Sequence, residues 1–263
     1  MSEAKLTQRR EGRVLILTLD NPAQRNALGP GMYTGGIEAF DLVAKDKSIG
    51  AVILTGRDGT FCAGGNLNRL NENRKKTNEF QREAMNALLN WVRAIRSCEV
   101  PVIAVVEGAA AGAGCSIALS CDLIVSAEDA VFALSYVKVG LNPDGGATTF
   151  LARALPPQLA SEILFEGGKI TPQRLHQAGV VNRLTPSGQA LEVALVWAEK
   201  LANGPRAAMG RAKKLLEEAY GDDLSGQLDR EADAFVDALH HDEAGEGIAA
   251  FLEKRKPDFS WQD

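Results

Sequence analysis

The segment Pro101–Asp122, PVIAVVEGAAAGAGCSIALSCD, constrains the fold more than any other part of the chain. Its first part, Val102–Val106, is a run of β-branched and small apolar residues, which predicts a strand buried on both faces. Glu107–Gly108 ends this strand, and no side chain in Ala109–Gly114 is larger than a methyl group. Ser116–Ser120 then has the spacing of a helix. We therefore expect a strand, a turn of tiny residues and the start of a helix in succession.

Such a turn can bind a ligand through its backbone. The first N–H groups of a helix have no partner within the helix, and the helix dipole adds positive potential there. Small side chains let a ligand approach these groups closely. The same composition also suits tight packing between a helix and a strand, and this segment alone does not separate the two interpretations.

Length and composition are typical of a soluble globular enzyme. A chain of 263 residues predicts one large domain, or a domain with an appendage. The net charge of −5 and the absence of a long basic run argue against nucleic acid as the main partner. The four cysteines show no metal-ligand spacing, so we expect reduced, mostly buried thiols, no metal site and a cytoplasmic location. No signal peptide or membrane span is expected, because charged residues interrupt the apolar stretches.

Strand and helix patterns alternate through the first two thirds of the chain, which predicts an α/β core. The predicted strands are Lys5–Arg9, Arg13–Asp20, Ser48–Thr55, Val102–Val106, Leu123–Ser126, Ala130–Phe132 and Val180–Leu184. The charged stretch Asn71–Lys76 is expected to be mobile, Thr77–Ser97 to be a long amphipathic helix, and Ser135–Phe150 to be a loop. From Gly188 onward the pattern is almost entirely helical, which indicates a packing or oligomerisation region.

A second segment of tiny residues, FCAGGNL at Phe61–Leu67, also follows directly after a predicted strand. Four motifs in this order resemble the crotonase (enoyl-CoA hydratase/isomerase) superfamily: NPAQRNAL, FCAGGNL, GAAAGAGCSIALSCDL with the following AVFALSYVKVGLNPDGGAT, and the tail EGIAAFLEKRKPDF. The resemblance implies an α/β spiral of ββα turns with a helical C-terminal region that builds trimers, often paired into hexamers. It places an acyl-CoA-binding core at residues 1–200 and the trimerisation region at residues 201–263.

The resemblance also implies an acyl-CoA thioester as substrate, with coenzyme A as part of that substrate and no separate cofactor. The thioester oxygen would accept hydrogen bonds from the backbone N–H groups of Gly65 and Ala113. Preorganised donors of this kind stabilise an enolate by about 3–4 kcal/mol each. The residues expected to contact coenzyme A are Gln24, Arg25 and Ala27 on the 3′-phosphate and adenine side, Ala63, Asn66 and Leu67 along the pantetheine and adenine, and Phe251 and Lys254 from a neighbouring subunit.

The acid/base residues depart from the family pattern. Hydratases of this family use two glutamates, and the aligned positions here are Ser116 and Tyr136. Neither side chain can hold a water molecule between two carboxylates, so both are expected to line the acyl pocket. One carboxylate does lie in a matching segment, Asp144 in LNPDGG, and an apolar pocket would raise its pKa toward neutrality. Asn-Pro-Asp-Gly is also a favourable turn sequence, which is the structural alternative for this residue.

These residues favour isomerisation of an enoyl-CoA double bond, with Asp144 as the single acid/base, in fatty-acid or aromatic-acid catabolism. Hydration, or hydrolysis of a thioester or ring with water held by Asp144 and Tyr136, is the alternative among enzymes. A catalytically silent scaffold that binds acyl-CoA or RNA is the alternative outside them. His176, His240 and His241 all fall late in the chain, which argues against a Ser-His-Asp or Cys-His nucleophile and against dehalogenation.

Overall fold

Strands and helices alternate up to residue 185 in the computed structural model, which describes residues 4–221 and 223–259. The strands are β1 (Lys5–Glu11), β2 (Val14–Asp20), β3 (Ala51–Gly56), β4 (Val102–Val106), β5 (Ala109–Ala111), β6 (Leu123–Ala127), β7 (Val131–Ala133), β8 (Lys169–Ile170) and β9 (Arg183–Thr185). The helices are α1 (Pro30–Lys45), α2 (Leu67–Asn73), α3 (Asn78–Ser97), α4 (Ala113–Ser120), α5 (Ala147–Ala154), α6 (Pro157–Glu166), α7 (Pro172–Gln177), α8 (Ala190–Ala202), α9 (Arg206–Glu218), α10 (Leu224–Leu239) and α11 (Asp242–Glu253).

Six strands of the described chain form the main sheet, in the order β1-β2-β3-β4-β6-β9. Only β1 pairs antiparallel with its neighbour, and the remaining pairs are parallel. Helices cover both faces of this sheet, so the central strands are apolar at almost every position and β4 is buried along its whole length. The predicted α/β core is confirmed.

Helix α8 covers one face of the main sheet with alanines. Ala190, Ala194, Ala198 and Ala202 recur every four residues, and each is at most 1% exposed. They pack against the outward residues of β2, β3, β4 and β6, because methyl side chains let the helix approach the sheet closely. The predicted domain boundary at residue 200 falls inside this helix.

A smaller sheet, β5-β7-β8, contains a segment that the sequence predicts as a turn. Ala109–Ala111 forms strand β5, parallel to β7, and Ala110 also pairs with Cys62. Helix α4 begins at Ala113 rather than at Ser116. Alanine has little strand propensity, so Ala109–Ala111 forms a strand because its backbone pairs with β7. The predicted loop Ser135–Phe150 is also wrong in part, because it contains a 3₁₀ helix and the first turn of α5.

Charged side chains join α9 to the core and α11 to α9. Lys213 of α9 contacts Asp122 at 2.8 Å, and Asp122 also accepts a hydrogen bond from the Val102 N–H at 2.9 Å. Glu243 of α11 is 4% exposed, and its carboxylate accepts hydrogen bonds from two N–H groups in the first turn of α9. Within the described ranges, no helix has both the length and the apolar character that crossing a lipid bilayer would need.

Candidate active site

The segment Cys62–Gly65 forms a tight turn in the loop between β3 and α2. The Cys62 thiol donates to the Asn26 carbonyl at 3.1 Å and accepts from the Gly64 N–H at 3.3 Å. Gly64 has φ +88°, and a Cβ there would lie 2.5 Å from the Ala111 carbonyl oxygen. Only glycine therefore fits at this position. Hydrogen bonding in the described part of the chain leaves the Gly65 N–H without an acceptor.

A second turn, at Gly112–Ala113, lies directly beside the first. Gly112 has φ +51° and ψ −127°, and its N–H donates to the Ala133 carbonyl at 2.8 Å. Ala113 is the first residue of α4, so its N–H has no acceptor within the helix, and none is found elsewhere in the described residues. The Ala113 nitrogen lies 3.4 Å from the position that a Cβ on Gly64 would occupy. The fold thus brings together the two N–H donors predicted from the sequence.

Asn26 holds the loop NPAQRNAL against these turns, and its importance is not apparent from the sequence. Its side chain is fully buried and donates to the carbonyl oxygens of Arg57 and Thr60 at 2.8 and 2.6 Å. Its Oδ1 accepts from the Asn21 N–H at 3.0 Å. The backbone carbonyl of Asn26 also accepts a hydrogen bond from the Cys62 thiol. Asn26 therefore connects the NPAQRNAL loop, the residues after β3 and the glycine turn.

Both turns open into a cavity of about 710 Å³. The cavity-lining residues predicted from the sequence are Ala63, Gly65, Leu67, Ala113, Tyr136 and Asp144. The opposite wall is formed by α2, the turn after it and the start of α3. Apart from Leu67, the residues of this wall are not predicted from the sequence. Residues Gln81 and Met85, spaced four apart on α3 and continuing toward buried Leu88, are the helical signal that could have indicated it.

Asp144 and Tyr136 form a hydrogen-bonded pair in this cavity. The Tyr136 hydroxyl donates to Asp144 Oδ1 at 2.6 Å, and the Ser116 hydroxyl lies 3.3 Å from the Tyr136 oxygen. Ser116 also donates to the Gly112 carbonyl at 3.3 Å, which links the pair to the second turn. Ser116, which is predicted to line the acyl pocket, is fully buried and is not among the residues that line the cavity, and its hydroxyl contacts the cavity-lining Tyr136.

Burial sets the ionisation of this pair. Desolvation raises the pKa of Asp144 above its ordinary value, and the hydrogen bond from Tyr136 partly offsets that rise. Desolvation and the neighbouring Asp144 charge raise the pKa of Tyr136, so its hydroxyl stays protonated as a donor. The pair can therefore hold one exchangeable proton on a carboxylate in the cavity that the two free N–H groups also line.

The cysteines offer no nucleophile. All four are free and buried, as predicted, and burial raises the pKa of Cys62 and of Cys115 to about 12. A thiol of such high pKa is not a thiolate at neutral pH. Among the described residues, no three His, Cys, Asp or Glu side chains are close enough together to hold a metal ion.

The predicted coenzyme A contacts fall into three groups. Gln24 and Arg25 are exposed on the NPAQRNAL loop, outside the cavity, and Ala27 is buried beneath them. Asn66 donates to Gln24 at 2.8 Å and caps α2 by accepting from the Arg69 N–H, which joins the loop to the cavity wall at Leu67. The remaining two contacts, Phe251 and Lys254, lie at the end of α11, exposed and outside the cavity of their own chain.

Comparison with known proteins identifies the family and the fold of the chain. Residues 9–262 match the family described as enoyl-CoA hydratase/isomerase. A 2,3-dehydroadipyl-CoA hydratase from Escherichia coli (strain K12) is 36% identical, with 97% of this chain and 98% of that protein covered. A 1,2-epoxyphenylacetyl-CoA isomerase from the same organism is 31% identical, with 95% and 96% covered. The crystal structure of an enoyl-CoA hydratase from Polaromonas sp. JS666 has a TM-score of 0.95 and 50% identity, with 97% and 99% covered.

The chain belongs to the enoyl-CoA hydratase/isomerase family, and its fold is the crotonase fold. The family and the fold class predicted from the sequence are both confirmed. The similar proteins carry both hydratase and isomerase names, so membership establishes an acyl-CoA enzyme family without choosing the reaction.

Proposed function

We propose that this protein isomerises the double bond of an enoyl-CoA ester, with Asp144 as its single acid/base. The observation that carries this proposal is the composition of the cavity wall. Among the described residues lining it, Asp144 is the one carboxylate, and it shares the cavity with the free N–H groups of Gly65 and Ala113. One carboxylate is sufficient to take a proton from one carbon and return it to another.

The proposed reaction proceeds through an enolate. The thioester oxygen of a 3-enoyl-CoA accepts hydrogen bonds from Gly65 and Ala113, which acidifies C2. Asp144 takes a C2 proton, and the C–H electron pair becomes part of a dienolate spread over the oxygen, C2 and C4. Asp144 then delivers the proton to C4, the carbonyl reforms, and the product is the 2-enoyl-CoA. The mass of the ester is unchanged.

Hydration is the second candidate, and the hydratase names of similar proteins favour it. Here the Asp144–Tyr136 pair would hold a water molecule against C3 of a 2-enoyl-CoA. Ser116 and Tyr136 stand at the aligned glutamate positions, so the second carboxylate of a hydratase is missing from this site. Hydrolysis of a thioester or ring would need the same water. A scaffold that binds acyl-CoA without turnover is the candidate outside enzymes.

A product-resolved assay by mass spectrometry tests the proposal. A short 2-enoyl-CoA and the matching 3-enoyl-CoA are each given to the wild type and to Asp144→Asn. We expect interconversion without mass change in the wild type and at least about 100-fold slower turnover in the variant. Binding of a saturated acyl-CoA, measured by calorimetry, should persist in the variant. A product heavier by one water, or equal turnover in Asp144→Asn, would contradict the proposal.

We also propose the setting of this reaction. Apolar side chains that are more than half exposed on α10 and α11 support a homotrimer or a dimer of trimers built by residues 201–263, in which Phe251 and Lys254 contact a neighbour's coenzyme A. Gln24, Arg25, Ala27, Ala63, Asn66 and Leu67 are the proposed contacts within the chain. The ester brings its own coenzyme A, no separate cofactor or nucleic acid takes part, and the location is cytoplasmic. Fatty-acid or aromatic-acid catabolism is the proposed metabolic setting.

A further inference from the structure

The cavity wall is positively charged although the chain carries a net charge of −5. Arg74, Lys76 and Lys138 line the cavity, against the single carboxylate of Asp144. None of these three cations has an ion-pair partner among the described residues. Three cations against one carboxylate give the cavity a net positive charge, which favours negative charge on a ligand.

Helix α3 connects the acid/base centre to two of these cations. A Cβ on Gly145, next to Asp144, would lie 3.8 Å from Leu88 of α3. Met85 and Gln81 line the cavity farther toward the start of the helix, followed by Thr77 at its N-cap. At 1.5 Å per residue, the distance along the helix from Leu88 to Thr77 is about 16 Å. The cavity thus extends from Asp144 toward the turn that carries Arg74 and Lys76.

Helix α2 separates the same cations from the predicted coenzyme A contacts. Asn66, at its start, contacts Gln24 of the NPAQRNAL loop at 2.8 Å. Its seven residues end at Asn73, about 10 Å away along the helix axis. Arg74 and Lys76 follow this far end, where Asn73 donates to Gln81 of α3 at 3.1 Å. The cations therefore lie away from the loop expected to bind the nucleotide.

Three apolar side chains, Leu70, Met85 and Leu141, line the cavity together with polar residues such as Gln81 and Thr77. Lys76 has its ammonium 3.9 Å from the Phe80 ring centroid. An acyl chain would contact the apolar side chains with its middle and the cations with its end. We infer that the substrate is an acyl-CoA whose acyl group carries a carboxylate at the end remote from the thioester. This inference rests on the proposed binding of an acyl-CoA ester in this cavity.

The expected preference is moderate, because the three cations are exposed and water screens them. Two or three charge-assisted contacts at a partly desolvated cavity end correspond to about a tenfold preference for the carboxylate-ended ester. The preference should shrink as ionic strength rises, because screening weakens contacts between exposed charges.

Matched pairs of esters test the inference. Catalysis is compared for 3-dodecenoyl-CoA and 3-dodecenedioyl-CoA, which differ in their terminal group and are long enough to extend along the cavity, and binding is compared for dodecanoyl-CoA and dodecanedioyl-CoA. The measured quantity is the ratio of kcat/KM, or of Kd, within each pair. We expect the wild type to favour the carboxylate-ended ester by about tenfold, and the variant Arg74→Gln/Lys76→Gln, or Lys138→Gln, to reduce that ratio at least threefold. Lys75→Gln is the matched control, because Lys75 is in the same turn but does not line the cavity.

Each outcome is decisive for the inference. A wild-type ratio near one overturns it. The inference is also overturned if the substitutions weaken the binding of both esters equally, because the cations would then bind the phosphates of coenzyme A that both esters share. If neither enoyl ester is turned over, the proposed isomerase reaction fails, while the Kd ratio of dodecanoyl-CoA and dodecanedioyl-CoA still decides the inference.

Discussion

At the scale of single residues, the site depends on a carboxylate whose environment was set by its neighbours. Asp144 occupies a turn sequence that many proteins use only for its shape. Here its carboxylate is half-buried, receives one short hydrogen bond from Tyr136 at 2.6 Å and lines the cavity that holds two free N–H donors. Burial raises the pKa of Asp144 and the hydrogen bond from Tyr136 lowers it, and the pKa stays above its ordinary value.

The first prediction concerns pH dependence in Tyr136→Phe. The Tyr136 hydroxyl stabilises the ionised carboxylate and so lowers the pKa of Asp144, and removing it raises that pKa. In the proposed reaction Asp144 acts first as a base and must be ionised, so activity should fall as pH drops through this pKa. We expect the acid limb of the kcat/KM profile to move to higher pH in the variant, with little change on the alkaline side. The pH–rate profile of the purified variant measures this shift.

Tyr33→Phe provides the control for that experiment. Tyr33 is a buried tyrosine whose hydroxyl contacts Arg69 at 3.4 Å rather than Asp144. Its substitution should leave the acid limb where the wild type has it. An unchanged acid limb in Tyr136→Phe would show that the titrating group is not Asp144.

The second prediction concerns the glycine turn. In Gly64→Ala, the new Cβ would lie 2.5 Å from the Ala111 carbonyl, at a φ of +88° that side chains rarely adopt. The turn must shift, and the Gly65 donor moves with it. We expect kcat to fall about 100-fold or more, as for loss of one preorganised donor. Steady-state kinetics at saturating substrate measures this.

A matched variant separates strain from the loss of the donor. Gly179 has a similar φ of +80°, but a Cβ there meets nothing within 4 Å. Gly179→Ala should cost about 1–2 kcal/mol of folding free energy and leave kcat near the wild-type value. Equal losses of kcat in the two variants would contradict the role given to the Gly64 turn.

At the scale of secondary-structure elements, α8 shows how side-chain size sets the distance between layers. Its four buried alanines allow the helix to lie directly on the main sheet. A larger side chain on that face has no space, because protein interiors are close-packed. The third prediction follows: Ala198→Leu should destabilise the fold by about 1–3 kcal/mol.

Thermal unfolding measures this prediction, with Val196→Leu as the control. Val196 lies on the same helix but is 65% exposed, so its enlargement should change stability by less than about 0.5 kcal/mol. A Tm for Ala198→Leu equal to that of the control would mean that α8 does not pack on the sheet as described.

At the scale of the whole molecule, the C-terminal helices leave apolar surface uncovered. Phe235 and Phe251 are 68% and 82% exposed, and Leu252 is 74% exposed. We propose that these exposed apolar side chains are covered by neighbouring copies of the chain in an oligomer. The fourth prediction is that the chain sediments at three or six times its mass of 28.1 kDa. Analytical ultracentrifugation measures this directly, and a monomer at micromolar concentration would contradict it.

The variant Phe251→Ser tests the same surface. Because the side chain is exposed in the single chain, its replacement should leave the fold intact and weaken assembly. Glu253→Gln, on the same helix and 62% exposed at its side chain, is the polar control. An unchanged oligomeric mass in Phe251→Ser, with loss of acyl-CoA binding, would place this residue in the ligand site and outside the interface.

The sequence by itself determined the family, the α/β alternation and the two turns of tiny residues. These features depend on local patterns: apolar runs make buried strands, and Gly64 and Gly112 stand where only glycine tolerates the backbone. The motif also predicted Asp144 as the acid/base, and the structure shows that this residue lines the cavity, while its role stays a prediction.

Only the tertiary structure decided the surroundings of those residues. The pairing of Ala109–Ala111 with β7 overrode a composition that predicts a turn, and Ser116 proved to be buried rather than cavity-lining. The cations Arg74 and Lys76 looked like part of a polar, mobile segment, yet they line the cavity. Such outcomes depend on contacts between residues far apart in the chain, and local sequence patterns carry no information about which of those contacts form.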